Sequence, residues 1–133
     1  MLAGVISNCQ GPMRMSATDL NSLPLLDSEV IAELHDIMED EFAELLNIFL
    51  NDLPVQLARM RAAVAQNNAD ELYQFAHRFK SSCGSLGALR LAELIQRLEQ
   101  AGRQKNLNGA VELLQQTEAV AGETVAGLQP YLD

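Results

Sequence analysis

Apolar side chains recur at steps of three and four residues along most of this chain, and this spacing constrains its fold more than any other feature. The pattern is clear from residue 72 to residue 86, where it comprises Leu72, Ala76, Phe79, Cys83 and Leu86. Such a period places apolar residues along one side of an α-helix. No segment shows the alternation that is typical of a half-buried strand. The sequence therefore predicts an all-α protein.

Turn-prone residues divide the pattern into five predicted helices. Asp27 or Ser28 can cap a short first helix, and the acidic run 39–41 opens a long second helix. The apolar stripe of that second helix continues through Pro54, which predicts a kink rather than a stop. The other three helices cover residues 69–86, 91–101 and 107–128. Four long helices with short connections favour an antiparallel up-down-up-down four-helix bundle, with the short N-terminal helix packed across one end.

The chain is long enough for one domain with a real core. Residues 1–22 have no basic start and only a short apolar run, so we expect a flexible N-terminal tail followed by the bundle domain over residues 23–133. Met13 and Met15 leave open a later natural start or an added extension. Cys9 in the tail and Cys83 in a core stripe make no disulfide framework, and free thiols are typical of a reducing cytoplasm.

The charge balance limits the classes of partner. The chain has 18 acidic and 9 basic residues, for a net charge of −9. Nucleic acid is therefore not expected as a partner, since its binding requires a basic face that neutralises phosphates. No apolar run approaches the roughly 20 residues that span a bilayer, so no membrane segment is predicted either.

The stretch around His77 has the features of a functional site. Lys80, Ser81 and Gly84 follow His77 three, four and seven residues later, which places them on the same side of a helix. That side is polar, basic at one point and then nearly bare of side chains. A partner could therefore approach the helix closely beside the histidine.

A carboxylate farther along the chain strengthens this interpretation. His77 and Glu99 are equidistant from Ala88, so a hairpin that turns at the adjacent glycine brings them opposite each other. A carboxylate that accepts a proton from one imidazole nitrogen fixes the tautomer and leaves the other nitrogen free as a nucleophile. Lys80 would supply positive charge where a transferred phosphoryl group carries its negative oxygens.

Each of these residues alone has an ordinary explanation: a boundary histidine, a solvated lysine and a surface acid. Their combination favours a site. His35 lies beside Asp36, but no second histidine–carboxylate pair completes a metal site, so we expect an exposed helix residue there and predict no metal site. Phe79 is expected in the core because it belongs to the apolar stripe.

The residues Ala76-His77-x-x-Lys80-x-Ser82-x-x-Ser85-Leu86-Gly87-Ala88, then Leu91 and Leu98-Glu99, resemble the signature of histidine-containing phosphotransfer (HPt) domains. The resemblance covers residues 25–102. It implies a free-standing helical-bundle module that carries phosphoryl groups between the aspartates of receiver domains. Such a module has no kinase activity of its own.

The resemblance also implies roles for individual residues. His77 would be phosphorylated at Nε2, Lys80 would neutralise phosphoryl charge, and Glu99 would hold Nδ1. The predicted partner-binding residues are Arg78, Ser81, Gly84 and Ser85. The family commonly has glycine where this chain has Ser81, which would give a receiver close access. No cofactor of its own is expected, because the Mg²⁺ used in transfer would come with the receiver.

The leading hypothesis is a monomeric, cytoplasmic phosphorelay intermediate. It would accept a phosphoryl group from the receiver domain of a hybrid sensor kinase and pass it to a response regulator. The alternative is a non-catalytic helical adaptor or antagonist that docks receiver domains without phosphoryl turnover. A metal-dependent bundle enzyme is a weaker third hypothesis, because the chain has only two histidines.

Overall fold

The computed structural model describes residues 20–132, and within them it contains helices and no strand. The α-helices are α1 (Ser28–Met38), α2 (Asp40–Ala65), α3 (Ala69–Ser85), α4 (Leu89–Arg103) and α5 (Ala110–Leu128). Two short 3₁₀ helices flank them, at Leu20–Ser22 and Gln129–Leu132. The prediction of an all-α protein is confirmed.

The four longer helices pack against one another. Helix α2 packs against α3 and α5, and α4 packs against the same two helices. The connections 66–68 and 86–88 are short, which is consistent with the predicted antiparallel order. At one end, the backbone N–H of Asp27 donates to the carbonyl of Gly87 over 2.7 Å, so α1 begins against the turn between α3 and α4. This contact is consistent with a short first helix across one end of the bundle.

The helix boundaries follow from local chemistry. The Asp27 side chain accepts hydrogen bonds from the backbone of Glu29 and Val30, so Asp27 rather than Ser28 caps α1. Helix α3 ends at a turn in which Gly87 has a φ of 77°, a left-handed conformation that favours glycine. Helix α2 continues through Pro54, as its unbroken apolar stripe predicted.

The apolar stripes form one core between the helices. Phe79 is 2% exposed and its ring stacks on Phe49 at a centroid distance of 5.7 Å, which confirms its predicted place in the core. Cys83 is fully buried, and burial raises the pKa of its thiol to about 12. The thiol therefore stays protonated and acts as a small apolar group.

Helices α3 and α4 approach each other closely at Gly102. A Cβ atom at this position would come within 2.7 Å of both the Ala69 carbonyl oxygen and the Tyr73 backbone nitrogen. Both obstacles are backbone atoms, so no side-chain movement could relieve the clash. Gly102 thus sets the spacing of the helix pair that carries His77 and Glu99.

The predicted tail lies mostly outside the described residues. Residues 1–19, including Cys9, are in that part of the chain, whereas the tail's last residues form the 3₁₀ helix Leu20–Ser22. The Arg90 side chain donates to the Leu23 carbonyl over 2.5 Å, which joins the chain entering the bundle to α4. The division into a tail and a domain stays a prediction. No helix among residues 20–132 is both long and apolar enough to cross a membrane.

Candidate functional site

The structure brings His77 of α3 against Glu99 of α4. The imidazole Nδ1 lies 2.5 Å from Glu99 Oε2, although the two residues are far apart in the chain. The His77 side chain is 56% exposed, whereas that of Glu99 is 1% exposed. The carboxylate therefore approaches the ring from inside the bundle, and the ring itself remains accessible to a partner.

Lys80 binds the other oxygen of the same carboxylate. Its Nζ donates to Glu99 Oε1 over 2.6 Å, and its side chain is one-third exposed. Sequence reasoning placed Lys80 beside His77 but missed this ion pair. The buried carboxylate thus has one partner on each oxygen, as a buried charge requires.

These contacts determine the protonation of Glu99. Burial raises the pKa of its carboxyl group, but the hydrogen bonds and charges of Lys80 and His77 outweigh that effect and lower the pKa below its usual value. An ionised carboxylate can only accept hydrogen bonds, so the proton in the contact lies on His77 Nδ1. In the neutral imidazole, Nε2 is then the nitrogen with a free lone pair.

The predicted partner-binding residues lie on the accessible side of α3. Arg78, Ser81, Gly84 and Ser85 are all exposed, and we call these four residues the docking face. A Cβ atom at Gly84 would contact nothing within 4 Å, so the helix surface is open at that point.

A groove runs beside the docking face, between α3 and the helices α1 and α2. Ser81 and Ser85 line it from α3. Its other lining side chains are largely apolar and include Leu34, Leu45 and Ile48, of which Ile48 is 61% exposed. Sequence reasoning did not find this groove, because its walls come from three separate helices.

An aromatic contact next to His77 was also missed. The Tyr73 ring stacks on the imidazole with centroids 5.5 Å apart and planes 18° from parallel. The guanidinium carbon of Arg103 lies 5.4 Å from the centre of the Tyr73 ring. The spacing of four residues between Tyr73 and His77 was the available signal, since it places both side chains on one side of a helix.

The second histidine takes no part in this arrangement. His35 is exposed on α1, as predicted, and its ring contacts Phe42 edge-to-face at 5.4 Å. Within the described part of the chain, no group of three or more histidine, cysteine or acidic side chains could hold a metal ion.

Comparisons with known proteins identify the family. The family model of the Hpt domain matches residues 44–127, and the chain belongs to this family. The chain is also similar to the crystal structure of histidine-containing phosphotransfer protein B (HptB) from Pseudomonas aeruginosa PAO1. That match has 32% sequence identity and a TM-score of 0.79, and it covers 82% of this chain and 95% of the other. None of the curated proteins compared with the chain matches it.

Replacing Glu99 with Gln should destabilise the fold in a pH-dependent way. Because the folded-state pKa of Glu99 lies below its usual 4.5, the ionised group contributes stability that is complete above pH 4.5. That contribution is lost as the pH falls through the lowered folded-state pKa. We expect Glu99→Gln to lower the free energy of unfolding by about 1–3 kcal/mol near neutral pH. In urea titrations over a pH series, its difference from wild type should shrink below pH 4.5.

Glu93→Gln is the matched control for this measurement. Glu93 lies on the same helix and pairs with Arg97 at 3.1 Å near the surface. Its loss should change the free energy of unfolding by less than about 1 kcal/mol. Equal effects of the two substitutions, or a Glu99→Gln effect that grows on acidification, would contradict the assignment of Glu99 as an ionised, doubly paired carboxylate.

Proposed function

We propose that this protein is a phosphorelay intermediate of two-component signalling. It accepts a phosphoryl group on His77 from the receiver domain of a hybrid sensor kinase and passes it to an aspartate of a response regulator. Membership of the Hpt family supports a phosphotransfer role. The observation that carries the proposal is the exposed His77 ring, whose Nδ1 contacts a buried carboxylate at 2.5 Å.

The geometry supports reaction at Nε2. With the proton of the neutral ring on Nδ1, the Nε2 lone pair attacks the phosphorus of a receiver's aspartyl phosphate. The N–P bond forms as the P–O bond to the aspartate breaks, and the leaving carboxylate takes the bonding electron pair. Positive charge that develops on the imidazole is stabilised by Glu99 through Nδ1–H. Reversal of the same steps delivers the group to the next aspartate.

Lys80 contributes charge at two places in this scheme. Its ion pair with Glu99 compensates the carboxylate, which would otherwise repel an incoming phosphoryl dianion. The Lys80 side chain is one-third exposed. In this scheme its ammonium group also attracts the phosphoryl oxygens through the N–H groups that Glu99 does not use. The Mg²⁺ expected in the reaction would belong to the receiver, and the protein would act as a carrier without kinase activity of its own.

We propose that the receiver docks on the docking face and its neighbouring groove. The exposed Ile48 and the other apolar walls of the groove offer a surface for an apolar partner helix. Ser81 lines this groove and lies one helical turn after His77. A monomer in the cytoplasm would leave this surface free for successive receivers. An adaptor that binds receivers without turnover would use the same surface, so only phosphoryl transfer separates the two functions.

His77→Gln should abolish phosphorylation while leaving the fold intact, because the glutamine amide has no nucleophilic ring nitrogen. The measurement is transfer of labelled phosphate from a panel of phosphorylated receiver domains of hybrid kinases from the same cell. His35→Gln, at the other histidine, is the control and should be labelled like wild type. If His77→Gln took up label at the wild-type level, the assignment of His77 as the phosphorylated residue would be refuted. Receiver binding by wild type with no label from any donor would favour the adaptor.

A longer side chain at Gly84 should weaken docking without harming the bundle. We expect Gly84→Gln to keep or raise stability, since a Cβ there meets no other atom and glutamine is the better helix former. Receiver affinity, measured by calorimetry, should fall about tenfold, because the new side chain must be accommodated in a close interface.

The control is Gly122→Gln on α5, where an added Cβ also contacts nothing within 4 Å. Its receiver affinity should equal that of wild type. If both glutamine variants bind receivers as wild type does, the surface at Gly84 is not part of the interface.

A further inference from the structure

The aromatic stack beside His77 forms within α3, and a residue of α4 joins it from the facing helix. Tyr73 lies four residues before His77 on α3, and Arg103 lies four residues after Glu99 on α4. One antiparallel register therefore brings His77 to Glu99 and, one turn away, Tyr73 to Arg103. Gly102 permits this second meeting, because a Cβ there would clash with the Tyr73 backbone at 2.7 Å.

The exposed His77 ring is oriented by its covalent attachment to the helix and by one hydrogen bond. More than half of the side chain is open to solvent, and Glu99 binds it at a single atom, Nδ1. Small rotations about the side-chain bonds can still tilt the ring while that hydrogen bond persists, which would move Nε2 away from an incoming phosphorus. Transfer is sensitive to such displacement, since it depends on in-line positioning of the reacting atoms.

The Tyr73 ring supplies a restraint of the required kind. It lies nearly parallel to the imidazole, at 18° and 5.5 Å, so it opposes tilting that the Glu99 contact permits. The aromatic face also attracts the positive charge that the imidazole develops during transfer. Arg103, at 5.4 Å from the Tyr73 ring centre, limits the movement of that ring in turn.

We propose that Tyr73 is a positioning residue for His77, and that Arg103 holds the Tyr73 ring in place. Tyr73 acts through its ring and not through its hydroxyl group. It fixes the orientation of the imidazole in the free protein, before any receiver binds. The catalytic part of this inference rests on the proposed phosphotransfer function, whereas the orientation of the ring is a property of the protein alone.

The test compares Tyr73→Phe, which keeps the ring, with Tyr73→Leu, which keeps an apolar side chain but removes the ring. Two measurements are made on each folded variant. Nitrogen-15 NMR of the His77 imidazole reports its tautomer and the uniformity of its environment. The rates of phosphorylation by a receiver domain and by phosphoramidate, a small donor that needs no docking, report the reactivity of Nε2.

We expect Tyr73→Phe to match wild type in both measurements. Tyr73→Leu should show multiple or broadened imidazole nitrogen signals, because the ring orientation is no longer uniform. Its rate should be roughly 3- to 10-fold lower at saturating receiver, the range expected for loss of one aromatic pair. The same factor should appear with phosphoramidate, and the receiver concentration at half-maximal rate should not change. Arg103→Gln, at an exposed position, should give a smaller loss of the same kind.

Several results would overturn the proposal. Tyr73→Leu with wild-type imidazole signals and rates would show that the stack does not position His77. A Tyr73→Phe variant as impaired as Tyr73→Leu would assign the effect to the hydroxyl group. If Arg103→Gln matched wild type in its imidazole signals and phosphorylation rates, Arg103 would have no role in holding the Tyr73 ring. Failure of wild type to accept phosphate from any donor would refute the proposed function instead, and the NMR comparison would still decide the role of Tyr73.

Discussion

The rest of the site depends on the contacts that the buried Glu99 carboxylate makes with His77 and Lys80. An ionised carboxylate with 1% exposure costs several kcal/mol in lost hydration unless its oxygens are paired. Here His77 and Lys80 each bind one oxygen, at 2.5 and 2.6 Å. An unpaired carboxylate would be costly at this buried position. The folded protein therefore favours the conformation in which both partners keep their contacts with Glu99. The same contacts that stabilise Glu99 orient the imidazole and place a cation beside it.

This arrangement requires one register of α3 against α4. The left-handed turn at Gly87 reverses the chain, and the first residues of α1 contact that turn. Gly102 then lets the two helices approach closely one turn beyond Glu99. The turn at Gly87 and the close approach at Gly102 together determine which residues of α3 and α4 face each other. The chemistry of the site is therefore a consequence of how the hairpin closes, and the other helices supply the core that holds it.

Much of this could be predicted from the sequence, because it depends on spacing. The apolar stripes indicated the helices, and the equal distances of His77 and Glu99 from Ala88 predicted their meeting in a hairpin. The missed features depend on side-chain direction and helix separation instead. A helical lysine can extend into solvent, so spacing did not reveal that Lys80 binds Glu99. The contact between Tyr73 and Arg103 requires the close approach at Gly102, and the groove requires three helices at once.

The central claim is that Glu99 holds Nδ1 of His77 and leaves Nε2 as the reacting atom. The most direct test is nitrogen-15 and phosphorus-31 NMR of the protein after phosphorylation by a receiver domain, with the histidine nitrogens labelled. We expect a single phosphohistidine in which phosphorus is bonded to Nε2 of His77 and Nδ1 still carries its proton. Phosphorus bonded to Nδ1, or to any other residue, would contradict it.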